Sequence, residues 1–164
     1  MTNVKLHGTL TRLSGIFLNI GDTAPDFLLV DQDLKDRSLK DFPGKRLLII
    51  VPSLDTPICS ISSKKFSEQI KNKTDLVMLI ISADLPFAQK RYCGAEGIAN
   101  ATTLSMMRNK SFGKDYGVLI QEGPLAGVCC RAVLLLDAQG KILYTELVDE
   151  ITTEPNYDKI LSLL

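Results

Sequence analysis

Two uninterrupted apolar runs are the feature that most constrains how this chain can fold. They lie within residues 47–51 and 75–82, and neither shows the alternation of a half-exposed strand. Such runs are typical of central strands buried on both faces. The segment between them predicts a helix over 57–71, with Thr56 as N-cap and Pro57 at the first helical position. A strand, a helix and a second strand in this order place the chain in the α/β class.

Weaker patterns predict the elements around this unit. They are a hairpin of strands 4–6 and 10–13, a strand at 27–30, helices at 86–92 and 110–115, a hairpin of strands 131–136 and 142–148, and a helix at 157–164. This order is that of a thioredoxin-like fold with an N-terminal β-hairpin extension. At 164 residues the chain has the usual length of one domain, so we expect a single domain over residues 1–164.

Charge and hydropathy exclude several classes of function. The 19 Lys and Arg residues balance the 19 Asp and Glu residues, so no basic excess exists to bind nucleic acid. No apolar run is long enough to cross a membrane. The first twenty or so residues lack the cationic and apolar regions of a secretory signal. We therefore expect a cytoplasmic protein, in which the four cysteines are reduced.

Cys59 is the leading candidate for chemistry, because it lies in the first turn of the helix predicted over 57–71. The positive end of a helix dipole favours the thiolate, which is the nucleophilic form of cysteine. The alternative is that Cys59 packs as a small apolar residue on the same stripe as Phe66 and Ile70. Position alone leaves these two interpretations equal.

The other candidate ligands and nucleophiles favour simpler interpretations. No Cys-x-x-Cys pair is present, and the single histidine, His7, lies far along the chain from the cysteines, which disfavours zinc. We interpret His7 as a surface turn residue. A Cys-His hydrolase is therefore disfavoured, because it needs a histidine base beside its cysteine. The adjacent Cys129 and Cys130 are interpreted as buried free thiols. We expect neither a metal nor a cofactor.

Three blocks of sequence resemble one known family. Residues 52–59 (PSLDTPIC) follow the active-site pattern Pro-x-x-x-Thr-x-x-Cys of the peroxiredoxins. Residues 82–97 are similar to the resolving-cysteine segment of the thiol peroxidase (Tpx) subfamily, and residues 147–155 to its C-terminal signature. The three blocks occur in the family's order and together span nearly the whole chain. Cys129 and Cys130 depart from the family pattern, which commonly has small apolar residues there.

The resemblance implies a role for each matching residue. Cys59 would be the peroxidatic cysteine, and Thr56 would orient the peroxide and the thiolate through its hydroxyl. Arg131 would supply the cation that stabilises negative charge, although without the resemblance an ordinary cation at a strand end would be the better interpretation. Pro52 would shield the site from water.

The resemblance also implies that Cys93 is a resolving cysteine, which forms an intrachain disulfide with Cys59 as in atypical two-cysteine peroxiredoxins. The implied activity is reduction of hydrogen peroxide and organic hydroperoxides to water and alcohols. Thioredoxin is the implied reductant and a homodimer the implied assembly. If this pairing is correct, we expect both cysteine-bearing segments to move between the thiol and disulfide states.

Three alternatives remain at this point. A thiol–disulfide oxidoreductase would use Cys59 and Ser62 as a Cys-x-x-Ser motif, but no proline precedes the strand after residue 128 where such enzymes bind substrate. A non-catalytic binding module on the same fold would make Thr56 and Arg131 accidental. A redox sensor would use the same pair, Cys59 and Cys93, with a different output.

Overall fold

A seven-stranded mixed sheet and a three-stranded sheet organise the computed structural model, which describes residues 2–164. The strands are β1 (Asn3–Leu6), β2 (Thr9–Ser14), β3 (Leu29–Val30), β4 (Asp36–Arg37), β5 (Lys45–Ile50), β6 (Leu76–Ser82), β7 (Ala101–Ser105), β8 (Leu119–Ile120), β9 (Ala132–Leu136) and β10 (Ile142–Leu147). The helices are α1 (Pro57–Ile70), α2 (Pro86–Glu96), α3 (Ser111–Asp115) and α4 (Tyr157–Leu161), with one 3-10 turn at Leu39–Asp41.

The large sheet has the order β10-β9-β5-β6-β7-β3-β4. β5, β6 and β7 are parallel neighbours, whereas β9 runs antiparallel to β5 and to β10. The α/β class and the thioredoxin-like order of elements predicted from the sequence are confirmed. The predicted N-terminal hairpin is also confirmed: β1 pairs with β2, and β2 pairs with β8 in the small sheet.

The strands β5, β6 and β9 each contribute to two separate cores, because successive side chains point to opposite faces of a strand. On β5, Leu48 and Ile50 face one core, and Leu47 and Ile49 face the other. The helical core, on the face covered by α1, α2 and α4, consists of Leu47, Ile49, Val51, Leu54, Cys59, Phe66, Ile70, Met78, Ile80, Cys93, Ile98, Val133, Leu135, Tyr144 and Ile160. The hairpin core, on the opposite face, includes Leu48, Ile50, Leu79, Ile81, Phe112, Tyr116, Cys129 and Cys130.

The second helix is longer than predicted, and this changes the placement of Cys93. The sequence predicted a helix over 86–92 with Cys93 after it, but α2 continues to Glu96 and contains Cys93. No proline interrupts this stretch. The helix ends at Gly97, whose φ of 67° is the left-handed conformation that glycine adopts at low cost, and whose N–H bonds the Cys93 carbonyl.

Other elements also differ from the predictions: the strand predicted at 27–30 is reduced to β3, and the helix predicted at 157–164 ends at Leu161. β9 begins at Ala132, so Arg131 lies in the connection just before the strand rather than at its start. The strand β7, which lies between β6 and β3, was not predicted at all, because its threonines and serine interrupt the apolar pattern that marks β5 and β6. Its Thr103 and Ser105 are nevertheless buried between the sheet and α2.

Candidate functional site

Cys59 occupies the first turn of α1, where the sequence placed it. Thr56 is the N-cap, Pro57 is the first helical residue, and Cys59 follows two residues later. The Cys59 side chain is 0% exposed and packs in the helical core together with Phe66 and Ile70. The two interpretations that the sequence left equal are therefore compatible: Cys59 is a core residue at a helix N-terminus.

Arg131 donates a hydrogen bond directly to this sulfur. Its Nη1 lies 3.1 Å from Cys59 Sγ, and its Nε donates to the Ile151 carbonyl oxygen at 3.0 Å. Only 3% of Arg131 is exposed. Within residues 2–164 no carboxylate forms an ion pair with it. A buried guanidinium without a carboxylate partner is placed to stabilise negative charge that forms on the sulfur it contacts.

The loop before α1 places Thr56 and Pro52 at the same helix end. Pro52 is buried and follows the last residue of the β5 run, Val51. Thr56 is the N-cap by position, but its side chain makes no capping bond. Its hydroxyl donates instead to the Ser53 carbonyl oxygen at 3.0 Å. The hydroxyl oxygen of Thr56 can still accept a hydrogen bond one helical turn from Cys59.

Cys93 begins the last turn of the second helix and packs in the same helical core as Cys59. Both residues are free thiols in this structure. Burial raises the pKa of Cys93, so its sulfur is held as the neutral thiol. The neighbouring Tyr92 joins the two cysteine-bearing helices, because its hydroxyl donates to the Ser60 carbonyl oxygen at 3.1 Å.

Asp84 is a site residue to which the sequence analysis gave no role. Its Oδ1 accepts from Ser53 Oγ at 2.6 Å, and its Oδ2 accepts from the Leu54 N–H at 2.8 Å. It thus holds the loop that leads into α1. Its position just after a buried parallel strand was an available signal, because functional polar residues collect at the carboxyl ends of such strands.

Tyr157, at the start of α4, also packs against the cysteine-bearing helix. Its ring meets Phe66 edge to face with 5.0 Å between centroids, and its hydroxyl lies 3.0 Å from Ser62 Oγ. Burial raises the pKa of Tyr157 to about 12, so it remains a neutral phenol. Its periodicity predicted only a C-terminal helix and gave no sign of this contact.

Cys129 and Cys130 lie outside the site, as free buried thiols in the hairpin core. Both residues precede β9, and Cys129 forms only an isolated bridge with Leu119. Burial raises the pKa of Cys129 to about 12 and raises that of Cys130 as well. Both sulfurs are therefore poor nucleophiles.

The described part of the chain offers no group of His, Cys, Asp and Glu side chains that could hold a metal ion. His7 is exposed in the turn of the N-terminal hairpin with φ of 50°, as predicted for a surface turn residue. None of the helices in residues 2–164 has the length and apolarity needed to cross a membrane.

Comparisons with known proteins agree with this geometry. Residues 19–161 match the Redoxin family. A thiol peroxidase of Leptospira interrogans (serovar copenhageni) is 48% identical over 160 residues, which cover 96% of this chain and 94% of that protein. A peroxiredoxin-like protein from Aquifex aeolicus superposes with a TM-score of 0.93 at 42% identity, covering 99% of this chain and 95% of the other. A thiol peroxidase from Chromobacterium violaceum gives a TM-score of 0.92 at 28% identity with the same coverage.

Proposed function

Because the chain belongs to the redoxin family and, within it, is a thiol peroxidase of the peroxiredoxin type, we propose that Cys59 is the residue that attacks the peroxide. One observation carries this proposal: the buried Arg131 donates to Cys59 Sγ at 3.1 Å in the first turn of α1. Among the four cysteines, Cys59 is the one that meets both a helix N-terminus and a guanidinium.

The first step is nucleophilic substitution at oxygen. The Cys59 thiolate attacks the terminal oxygen of a hydroperoxide, an S–O bond forms and the O–O bond breaks. The products are a cysteine sulfenic acid and an alkoxide or hydroxide, which takes up a proton to leave as alcohol or water. Arg131 stabilises the negative charge as it moves from sulfur to the leaving oxygen. Thr56 orients the peroxide through its hydroxyl, and the buried Pro52 keeps water from the sulfur.

The second step forms a disulfide between Cys59 and Cys93. The Cys93 thiolate attacks the sulfenic sulfur, an S–S bond forms, and hydroxide leaves to become water. Thioredoxin then reduces the disulfide by thiol–disulfide exchange and returns both cysteines to the thiol form. We further propose that the protein works as a homodimer in a reducing cytosol, where thiols are kept reduced between turnovers.

We propose that this arrangement, with both cysteines as free thiols, is the state before peroxide arrives, in which Cys93 is not yet activated for attack. Its thiol is neutral because burial raises its pKa, whereas attack requires the thiolate. Cys59 in turn is held by the hydrogen bond from Arg131. Disulfide formation therefore requires the α2 segment around Cys93 to loosen, and the first turn of α1 to leave Arg131.

Stopped-flow oxidation of the fully reduced protein by cumene hydroperoxide tests this function. We expect a fast phase that is absent in Cys59→Ser and preserved in a Cys129→Ser/Cys130→Ser double variant. Peptide mapping after one equivalent of peroxide should find a Cys59–Cys93 disulfide with Cys129 and Cys130 still reduced. Oxidation no faster than that of free cysteine would reject the peroxidase assignment of Cys59.

Steady-state turnover tests the second step separately. The Cys93→Ser variant should keep the first oxidation and lose thioredoxin-supported cycling. Undiminished cycling in this variant would reject Cys93 as the resolving cysteine while leaving the role of Cys59 intact.

A further inference from the structure

Asp84 connects the loop before α1 with the strand that precedes α2. On one side its carboxylate accepts hydrogen bonds from Ser53 Oγ and the Leu54 N–H, at 2.6 and 2.8 Å. On the other side its Oδ2 accepts from Ser82 Oγ, the last residue of β6, at 2.7 Å. Its backbone carbonyl accepts from Ser105 Oγ on β7 at 2.5 Å, which fixes Asp84 to the sheet.

The connection continues into α2 through Gln89. The Gln89 Nε2 donates to Ser82 Oγ and to the Leu104 carbonyl oxygen, both at 3.0 Å. Gln89 is fully buried and lies one helical turn before Cys93. An unbroken series of hydrogen bonds therefore runs from the Cys93 helix, through Ser82 and Asp84, to the loop that leads into α1.

The loop and α2 are packed together only in part, because Leu54 and Cys93 share the helical core while a cavity opens beside them. The cavity has a volume of about 490 Å³ and is lined by residues that include Leu54, Asp84, Phe87 and Tyr92. Phe87 is 66% exposed rather than packed on the loop. Besides the packing of Leu54, the position of the loop relative to α2 is thus set by the polar contacts of Asp84 and by the bond from Tyr92 to Ser60.

We propose that Asp84 is a positioning residue that couples the two cysteine-bearing segments, holding them in the arrangement that reacts with peroxide and releasing both together when the disulfide forms. This proposal rests on the proposed roles of Cys59 and Cys93. Asp84 touches neither sulfur and takes no part in bond making. It acts through Ser53 and Leu54, whose segment sets where Thr56 and the first turn of α1 lie.

Loss of the Asp84 contacts should affect peroxide attack and disulfide formation differently. Peroxide attack needs Thr56, Cys59 and Arg131 in one fixed arrangement, and displacements of about 1 Å in such arrangements cost on the order of a hundredfold in rate. Disulfide formation needs the same contacts broken. Loss of the Asp84 carboxylate therefore slows the first step and does not slow the second.

The test compares Asp84→Ala with Asp137→Ala. Asp137 is a matched control, because its carboxylate also accepts two hydrogen bonds from a loop, here from the Gln139 and Lys141 N–H groups, and it lies at the far end of β9 from Arg131. Stopped-flow oxidation is measured in the Cys93→Ser background, and disulfide formation in the chain that retains Cys93. We expect Asp84→Ala to lower the oxidation rate constant by about tenfold or more, with disulfide formation as fast as in the parent or faster.

A conservative variant separates this role from general destabilisation. In Asp84→Asn the amide oxygen can accept the Leu54 N–H while the amide nitrogen donates to Ser53 Oγ, so oxidation should recover most of its rate. If Asp84→Ala does not fold, Ser53→Ala removes one of the loop bonds and should slow oxidation in the same direction.

Two outcomes would overturn the coupling. One is an oxidation rate in Asp84→Ala equal to that of the parent. The other is an equal fall in both steps, matched by Asp137→Ala, which is the result of a merely structural residue. A parent protein without a fast Cys59-dependent phase would instead show that the proposed function itself has failed.

Discussion

The guanidinium of Arg131 makes two hydrogen bonds that a lysine could not make together. Nη1 donates to Cys59 Sγ and Nε donates to the Ile151 carbonyl oxygen. The bond to Ile151 fixes the plane of the guanidinium. The donor Nη1 therefore points at Cys59 Sγ before any peroxide binds. A single ammonium group at the end of a flexible stem has no such fork.

Arg131→Lys should therefore lower the rate of Cys59 oxidation by roughly a hundredfold, as loss of one preorganised donor commonly does. Stopped-flow measurement with cumene hydroperoxide checks this value. Arg108→Lys is the control, since Arg108 forms an exposed ion pair with Asp36 and should keep the parent rate. A parent-like rate in Arg131→Lys would show that positive charge, rather than the forked geometry, is what the sulfur needs.

Sequence reasoning at this scale depends on whether a residue belongs to a pattern. Thr56 and Arg131 could be placed because they match a family motif, and the structure brings Arg131 to Cys59. The hydrogen bond from Thr56 to Ser53 could not be predicted, because an N-cap residue normally bonds its own helix. Asp84 was missed for a similar reason: its partners lie about thirty residues away along the chain, and no local spacing shows them.

Among the elements, the N-terminal hairpin is joined to the loop that supports Arg131. The Glu150 carboxylate accepts from the His7 N–H at 3.0 Å and from the Gly8 N–H at 2.9 Å. These bonds, above all that from Gly8, lower the pKa of Glu150 to about 2. The next residue, Ile151, carries the carbonyl that holds Arg131.

Glu150→Gln should loosen the hairpin, because an amide presents one acceptor where the carboxylate presents two. Hydrogen exchange at His7 and Gly8 should be faster in the variant, and its melting temperature lower at neutral pH. The pKa falls from 4.5 to about 2 on folding, so the stabilisation is complete above pH 4.5 and is lost as the pH falls towards 2. The difference in melting temperature should therefore shrink in acid.

Asp149→Asn is the matched control for this prediction. It removes the neighbouring carboxylate, whose exposed ion pair with Lys5 contributes little. A melting-temperature difference for Glu150→Gln that stays constant between neutral and acidic pH would contradict the role given to the carboxylate.

The length of an element was predicted best where independent sequence signals agree. The α1 helix matches its prediction to within one residue because a proline start and an apolar stripe agree. The α2 helix was predicted too short, since its last turn, 93–96, has no apolar repeat and is held by tertiary contacts such as the ion pair of Glu96 with Lys64 on α1. For β7, pairing with β6 outweighs a polar sequence.

For the molecule as a whole, the central sheet separates the two proposed redox-active cysteines, Cys59 and Cys93, from the N-terminal hairpin. Both α1 and α2 cover one face, whereas β1, β2 and α3 cover the other. We therefore expect disulfide formation to increase hydrogen exchange in residues 52–60 and in α2, with no change in β5, β6 and β9. Mass-resolved exchange of the reduced and oxidised protein measures this directly.

The Cys93→Ser variant treated with one equivalent of peroxide is the control, because it can form the sulfenic acid without the disulfide. Faster exchange in the central strands on oxidation, or no change in either helix, would contradict a conformational change confined to the helical face.

The division of the four cysteines between the two cores has a consequence for fidelity. Cys59 and Cys93 belong to the helical core, and Cys129 and Cys130 to the hairpin core. Four thiols could pair in several ways, but a sheet of hydrogen-bonded strands stands between the two sets. A sulfenic acid on Cys59 therefore meets one thiol on its own side of the sheet. We therefore expect the fold to select a single oxidation product, with no shuffling step before reduction.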